Sequence, residues 1–182
     1  MEHHYKVGVI GATGMVGQRF MLLLANHPWF DVVVLAASAR SAGKKIAFGD
    51  EELTVMEATD AAFEGMDIVL GAASADLARQ FAPAIRAAGA VFVDNSSAFR
   101  MQDDVPLVVP EVNGEDVKKH NGIIANPNCS TIITLMAVKG INRLSPIRAM
   151  VASTYQAVSG AGAGSYDPRS ASSFPRWCSR QH

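Results

Sequence analysis

The sequence predicts an α/β fold containing a dinucleotide-binding domain, and three observations predict it. An apolar run with Val7, Val9 and Ile10 leads directly into Gly11-Ala12-Thr13-Gly14-Met15-Val16-Gly17, and a helical pattern follows. Further apolar runs at 31–37, 67–71 and 90–94 each end in small or polar residues. A last short run, Gly122-Ile123-Ile124-Ala125, hands over to a helical pattern at 126–131. Short apolar strands alternating with helices mark a parallel sheet covered on both faces.

Composition narrows the class. At 182 residues and 49% hydrophobic, the chain can bury one full core and the start of a second unit. A formal net charge of −1 offers no cationic surface for nucleic acid or an anionic membrane. No apolar stretch approaches the roughly 20 residues of a spanning helix, and residues 1–6 lack an apolar signal core. Two cysteines, Cys129 and Cys178, without a secretory signal predict a reducing, cytoplasmic setting. No His/Cys group has metal-ligand spacing.

The glycine segment comes first in the chain. Gly11 allows a tight turn, Gly14 lets backbone approach a pyrophosphate, and Gly17 lets helix and strand pack closely. The pyrophosphate then faces a helix N-terminus. An ordinary glycine-rich turn is the competing reading. The helix that follows is expected to turn Phe20, Leu23 and Leu24 inward. The strand at 31–37 ends in Ser38-Ala39-Arg40-Ser41, with Lys44 and Lys45 close behind. Many NAD sites carry an acid near this position to hold the ribose hydroxyls. Here donors stand instead, and Arg40 offers a rigid fork suited to a ribose 2′-phosphate. A mildly basic solvated loop is the alternative.

Residues 53–56 read as a short strand and 60–64 as a short helix. The strand at 67–71 ends in Ala72-Ala73-Ser74, and a helix follows over 75–88, with Leu77, Phe81 and Ile85 inward and Pro83 interrupting it. After the strand at 90–94 comes Asn95-Ser96-Ser97-Ala98-Phe99-Arg100. Polar residues beyond a strand end mark the ligand crevice of an open sheet. Arg100 supplies the bidentate cation that a phosphate or carboxylate needs; a surface arginine is the plain reading. Residues 106–113 read as extended, with Asn113 capping a short helix at 114–119 and Glu111 solvated.

Asn126-Pro127-Asn128-Cys129-Ser130-Thr131 places Cys129 where a strand hands over to a helix capped by Asn, Ser or Thr. The free N–H groups and dipole of that helix end favour a thiolate, the reactive form. A small buried cysteine filling a core gap is the other reading, and chemistry alone leaves both open. Ile132, Ile133, Leu135, Met136 and Val138 form the apolar positions of this helix, expected to end near Gly140, and 148–156 reads as a long strand opening a second sheet.

These segments resemble the aspartate-β-semialdehyde dehydrogenase family. The resemblance is carried by residues 11–17, 95–100, 110–113, 126–131 and 153–162, and runs to about residue 163. It implies a Rossmann-like doubly wound NADP-binding domain over 1–127. It further implies the start of an α+β catalytic and dimerisation domain over 128–163, with 164–182 a divergent, irregular tail. The implied activity is the reversible, NADP-dependent conversion of L-aspartate 4-semialdehyde and phosphate to L-4-aspartyl phosphate through a cysteine thioester, in aspartate-family amino-acid biosynthesis. By resemblance Cys129 is the nucleophile, and Arg100, Asn128 and Gln156 hold substrate and phosphate. Residues 11–17, Ser38, Arg40, Ser41, Ala73, Ser74, Ser159 and Gly160 hold NADP.

Full members of the family continue well past residue 163, with a catalytic histidine and further substrate-holding charges, and assemble as homodimers or homotetramers. His27, His120 and His182 are not expected to replace that histidine, so the 182-residue chain is expected to lack the complete machinery. A related N-acetyl-glutamyl-phosphate reductase and a non-catalytic cofactor-binding fragment are the competing readings.

Overall fold

A computed structural model describes residues 4–154. Its compact unit is Met1–Met150; of the second unit, Val151–His182, only 151–154 are described, and they are exposed and without regular structure. The chain runs β1 (Tyr5–Ile10), α1 (Met15–Leu24), β2 (Phe30–Ala37), β3 (Lys45–Phe48), β4 (Glu51–Thr54) and β5 (Met56–Glu57). It continues through β6 (Ile68–Gly71), α2 (Ala75–Ala87), β7 (Val91–Asp94), α3 (Pro110–Asn113), β8 (Ile123–Ala125) and α4 (Cys129–Leu144). Short 3-10 helices occupy Ala39–Ser41, Asp60–Phe63 and Gly114–Lys119.

Six strands form one parallel sheet in the order β5-β2-β1-β6-β7-β8; β3 and β4 form a separate antiparallel hairpin. The chain builds outward from β1 to β2, then crosses to β6 on the other side. The order therefore reverses between β1 and β6, and ligands of open α/β sheets bind at such a switch point. All the parallel strands end on the same edge, and every loop leaving that edge borders the crevice.

Both faces of the sheet are buried, which is why its strands read as continuous apolar runs. Ile10, Ala36, Val69 and Phe92 face α2 with Phe63, Phe81 and Ile85. Val7, Val9, Leu35 and Ala37 face α1 with Met21 and Leu24, and Val55 closes that side. Pro83 lies inside α2 and is exposed, and the helix runs through it. An interior proline costs about 3 kcal/mol. Burial of Phe81 and Ile85 stabilises by about 1.5–3 kcal/mol each and offsets that cost.

Several expectations are corrected. Leu23 is 75% exposed; Met21 takes the inward place beside Leu24, because the apolar stripe of α1 runs Gly17-Met21-Leu24. Residues 45–48 form β3, paired with β4, and 53–56 is split between β4 and β5. Pro110–Asn113 is a helical turn rather than extended, with proline in the first turn, where its missing N–H costs nothing. Before it, Pro106 O accepts from Ala125 N and Val108 N donates to Ala125 O, both at 3.0 Å, covering the outer side of β8.

Helix α4 runs past Gly140 to Leu144. None of its apolar residues is buried; Ile133 and Leu144 stand in the open. Residues 148–154 form no strand, since a strand exists only where a neighbour completes its hydrogen bonds and no described segment does so. Gln156 lies outside the described residues. No helix among the described residues is long and apolar enough to cross a membrane.

Candidate active site

The loop after β1 shows why three glycines are spaced as they are. Gly11 has φ +81°, and a Cβ there would lie 2.5 Å from Ala72 O. The loop therefore closes against the end of β6, across the switch point. A Cβ on Gly17 would lie 2.2 Å from Gly11 O and 2.6 Å from Ala12 Cα. Only a hydrogen lets α1 approach the loop that closely. Gly14 is different: the nearest atom to its added Cβ would be Gly11 O at 3.3 Å, and otherwise it faces open space. Its position before the first turn of α1 lets a ligand come against bare backbone.

A cleft of about 390 Å³ opens beside this loop. Gly11, Thr13 and Gly14 form one side, Ser38 and Ala39 a second, and Ala73 and Leu77 a third. The cradle fits a dinucleotide: bare backbone at a helix start, an apolar slot and polar groups at its rim. Ser41 Oγ accepts from Thr13 Oγ1 at 3.5 Å, tying the loop after β2 to the glycine loop. Arg40 is exposed and its side chain bonds to no described residue. Ser74 caps α2, accepting from Leu77 N at 3.4 Å. Ala12 is fully buried and packs under the loop, whereas Met15 and Val16 lie exposed on the first turn of α1.

The ends of β7 and β8 build the other half. Asp94 is fully buried at the end of β7. Its Oδ2 accepts from Ser96 Oγ at 2.6 Å and its Oδ1 from Ser96 N at 3.0 Å. Ser96 Oγ in turn accepts from Ala98 N at 3.0 Å, so the loop curls back on itself just ahead of Arg100. Arg100 Nε donates to Asn126 O at 2.9 Å and Nη2 to Asn95 O at 3.0 Å. Asn126 Nδ2 donates to Asn95 Oδ1, closing a small network across the two strand ends. The remaining guanidinium donors stay available for an anion.

Cys129 opens α4 and is exposed. That excludes the core-filler reading for the described fold. Asn128 caps the helix: its Oδ1 accepts from Ser130 N at 2.9 Å and lies 4.0 Å from Cys129 Sγ. The cap uses the amide oxygen and leaves the Nδ2 donors free of described partners.

Asn113 holds its place at the start of the Gly114–Lys119 turn without capping it. Its side chain reaches back instead, accepting from Val109 N at 2.9 Å and donating to Leu107 O at 3.0 Å. Hydrogen bonds from Lys119 and Asn113 hold the Asp116 carboxyl below its ordinary value. Glu111 is exposed and borders a groove under α4 with Val112, Leu135 and Val138.

The structure thus brings the predicted residues of 11–17, 38–41, 73–74, 100 and 128–129 to one edge of one sheet. Gln156, Ser159 and Gly160 lie outside the described residues. Sequence reasoning missed Glu57, which lines the cleft from the end of β5. Its signal was an acid closing a two-residue strand, too short for alternation to reveal.

The sequence profile described as "Semialdehyde dehydrogenase, NAD binding domain" matches residues 6–120. Aspartate-semialdehyde dehydrogenase of Bacillus subtilis (strain 168) is 48% identical over 157 residues, covering 86% of this chain and 45% of that protein. The enzyme of that name from Aquifex aeolicus (strain VF5) is 51% identical over 164 residues, covering 87% and 48%. The crystal structure of aspartate semialdehyde dehydrogenase II complexed with ASA from Vibrio cholerae superposes with a TM-score of 0.84 at 39% identity, over 90% of this chain and 49% of that one. The Candida albicans aspartate semialdehyde dehydrogenase with NADP gives 0.63 at 31%, over 79% and 48%. The chain spans about half the length of the curated relatives it matches. With its NAD(P)-binding fold matched and its sequence aligned over most of its length, the chain belongs to the aspartate-semialdehyde dehydrogenase family.

Proposed function

We propose that this chain supplies the NADP-binding domain, residues 1–127, and the nucleophile-bearing start of the catalytic domain, 128–163, of a phosphorylating aspartate-semialdehyde dehydrogenase. The observation that carries the reading is the convergence of the glycine loop, Arg100 and Cys129 on one sheet edge, with Arg100 bonded to the segment that delivers Cys129.

NADP, when bound, would supply the hydride acceptor. After its thiol proton passes to a general base that the described residues do not supply, Cys129 Sγ forms a bond to the aldehyde carbon as the C=O π bond breaks, and the carbonyl oxygen takes the negative charge. Asn128 Nδ2 donors, left over from the helix cap, answer that charge. Once the substrate carbon is oxidised, Cys129 carries the acyl group as a thioester. A phosphate oxygen then attacks the carbonyl carbon, the C–S bond breaks, and the thiolate leaves. Arg100, held by two backbone carbonyls, keeps donors to orient that phosphate. Gln156 belongs to the same reading as an orienting amide, and Ser159 and Gly160 as cofactor contacts. The name of the Vibrio relative's complex and the NADP of the Candida relative support the substrate and cofactor. A cytoplasmic homodimer or homotetramer is part of the same reading.

Ser38, Arg40 and Ser41 would hold the 2′-phosphate. A charge-assisted hydrogen bond contributes roughly 1.5–3 kcal/mol, so NADP should bind at least about tenfold more tightly than NAD. Calorimetric titration with both dinucleotides tests this, and equal affinities refute it.

A further inference from the structure

Glu57 closes β5, the outermost strand, in parallel register with Ala37 at the end of β2. It stands one strand over from the position where many NAD sites carry the acid that holds the ribose hydroxyls. At the end of β2 itself the sequence offers only Ala36, Ala37 and Ser38. Glu57 lines the same cleft as Ser38 and Ala39, and it is exposed. Its side chain bonds to no described residue. That separates it from neighbouring Glu52, whose carboxylate is paired to Lys45 at 3.2 Å. Arg40, on the 3-10 turn packed beside β5, is likewise without a described partner. Glu57 thus lines the cleft itself, while Arg40 stands on the adjacent turn beside the lining residues Ser38 and Ala39.

We infer that Glu57 is a specificity-determining residue of the cofactor cleft, supplying from β5 the ribose-holding acid that β2 lacks. The inference rests on the dinucleotide reading above. The ligand is the adenosine ribose of a pyridine dinucleotide. In NAD both ribose hydroxyls can donate to the carboxylate. In NADP the 2′-oxygen is esterified, and its phosphate favours Arg40 while being repelled by Glu57. The two residues therefore pull the preference in opposite directions, and the chain keeps measurable affinity for NAD.

The test is calorimetric titration of the full chain with NAD and NADP, comparing the unaltered protein with Glu57→Gln and with Glu52→Gln as the charge-matched control. Removing the charge at Glu57 should weaken NAD about tenfold, leave NADP equal or tighter, and widen the NADP:NAD preference about tenfold or more. Glu52→Gln should leave the preference as it is. A preference unchanged in Glu57→Gln, or changed equally by both substitutions, overturns the Glu57 assignment alone. Binding of neither dinucleotide to the unaltered chain overturns the cofactor reading and this inference with it.

Discussion

Arg100 Nε donates to the carbonyl oxygen of Asn126 at 2.9 Å, joining the loop after β7 to the last residues before Cys129. A second bond, Nη2 to Asn95 O at 3.0 Å, fixes the guanidinium plane. The side chain proposed to orient phosphate is therefore also a strut between two strand ends.

Substitution of Arg100 should expose both functions. Arg100→Ala removes two charge-assisted hydrogen bonds from a half-buried position, and stability should fall by about 1–3 kcal/mol. Arg100→Lys should recover only part of this, because an ammonium cannot reproduce the planar fork. Urea unfolding measures the loss; an unchanged midpoint would mean that water satisfies both carbonyls equally well.

The glycines after β1 should separate folding from binding. A methyl at Gly17 meets backbone at 2.2 Å, so Gly17→Ala should destabilise the fold by about 1–3 kcal/mol or more. Gly14 has φ −78° and open space beyond 3.3 Å, so Gly14→Ala should change stability by less than about 1 kcal/mol. It should nonetheless cost about tenfold or more in NADP affinity by blocking the approach to backbone. Thermal melts and titrations on the two variants read the difference, and equal effects on both properties would contradict it.

Cys129 should be alkylated faster than Cys178 in the folded chain near neutral pH. It is exposed at the first residue of α4, where a reagent can reach its Sγ. Brief iodoacetamide treatment followed by mass-spectrometric peptide mapping ranks the two. Faster modification of Cys178 would count against a preformed nucleophile site.

The 182-residue polypeptide should not complete the family reaction by itself. Its described histidines lie at the wrong edge of the sheet. His4 pairs with Asp31 at 3.1 Å, His27 stacks on Phe30 at 4.1 Å, and His120 Nδ1 accepts from Gly122 N at 3.0 Å. All three positions precede or begin strands, whereas Cys129 follows the end of β8. With no described histidine at the Cys129 edge, the missing general base should cost about 10²–10⁴-fold. Phosphate-dependent NADP reduction with aspartate semialdehyde, assayed beside Cys129→Ala, should show no turnover above the variant. Robust turnover that vanishes in the variant would show that residues beyond 154 supply the missing base.

Local chemistry was enough to determine a good deal of this protein. The glycine spacing, the strand-ending runs and the Asn-Pro-Asn-Cys handover are encoded within a few residues each, so the order of β1, α1, β2, β6, α2, β7, β8 and α4 was legible. Tertiary structure decided the rest, because it depends on which strands become neighbours. Glu57 reaches the cleft only since β5 pairs with the end of β2. Arg100 becomes a strut only since β7 and β8 lie side by side. Leu23, Ile133 and Met136 look inward-facing by spacing alone, yet burial needs an opposing surface and they stay exposed, while Ile132, Leu135 and Val138 are only half-buried beside the short α3. Over its described part, 148–154, the expected strand at 148–156 does not form for the same reason: β-structure is made between segments, and no described segment pairs with it.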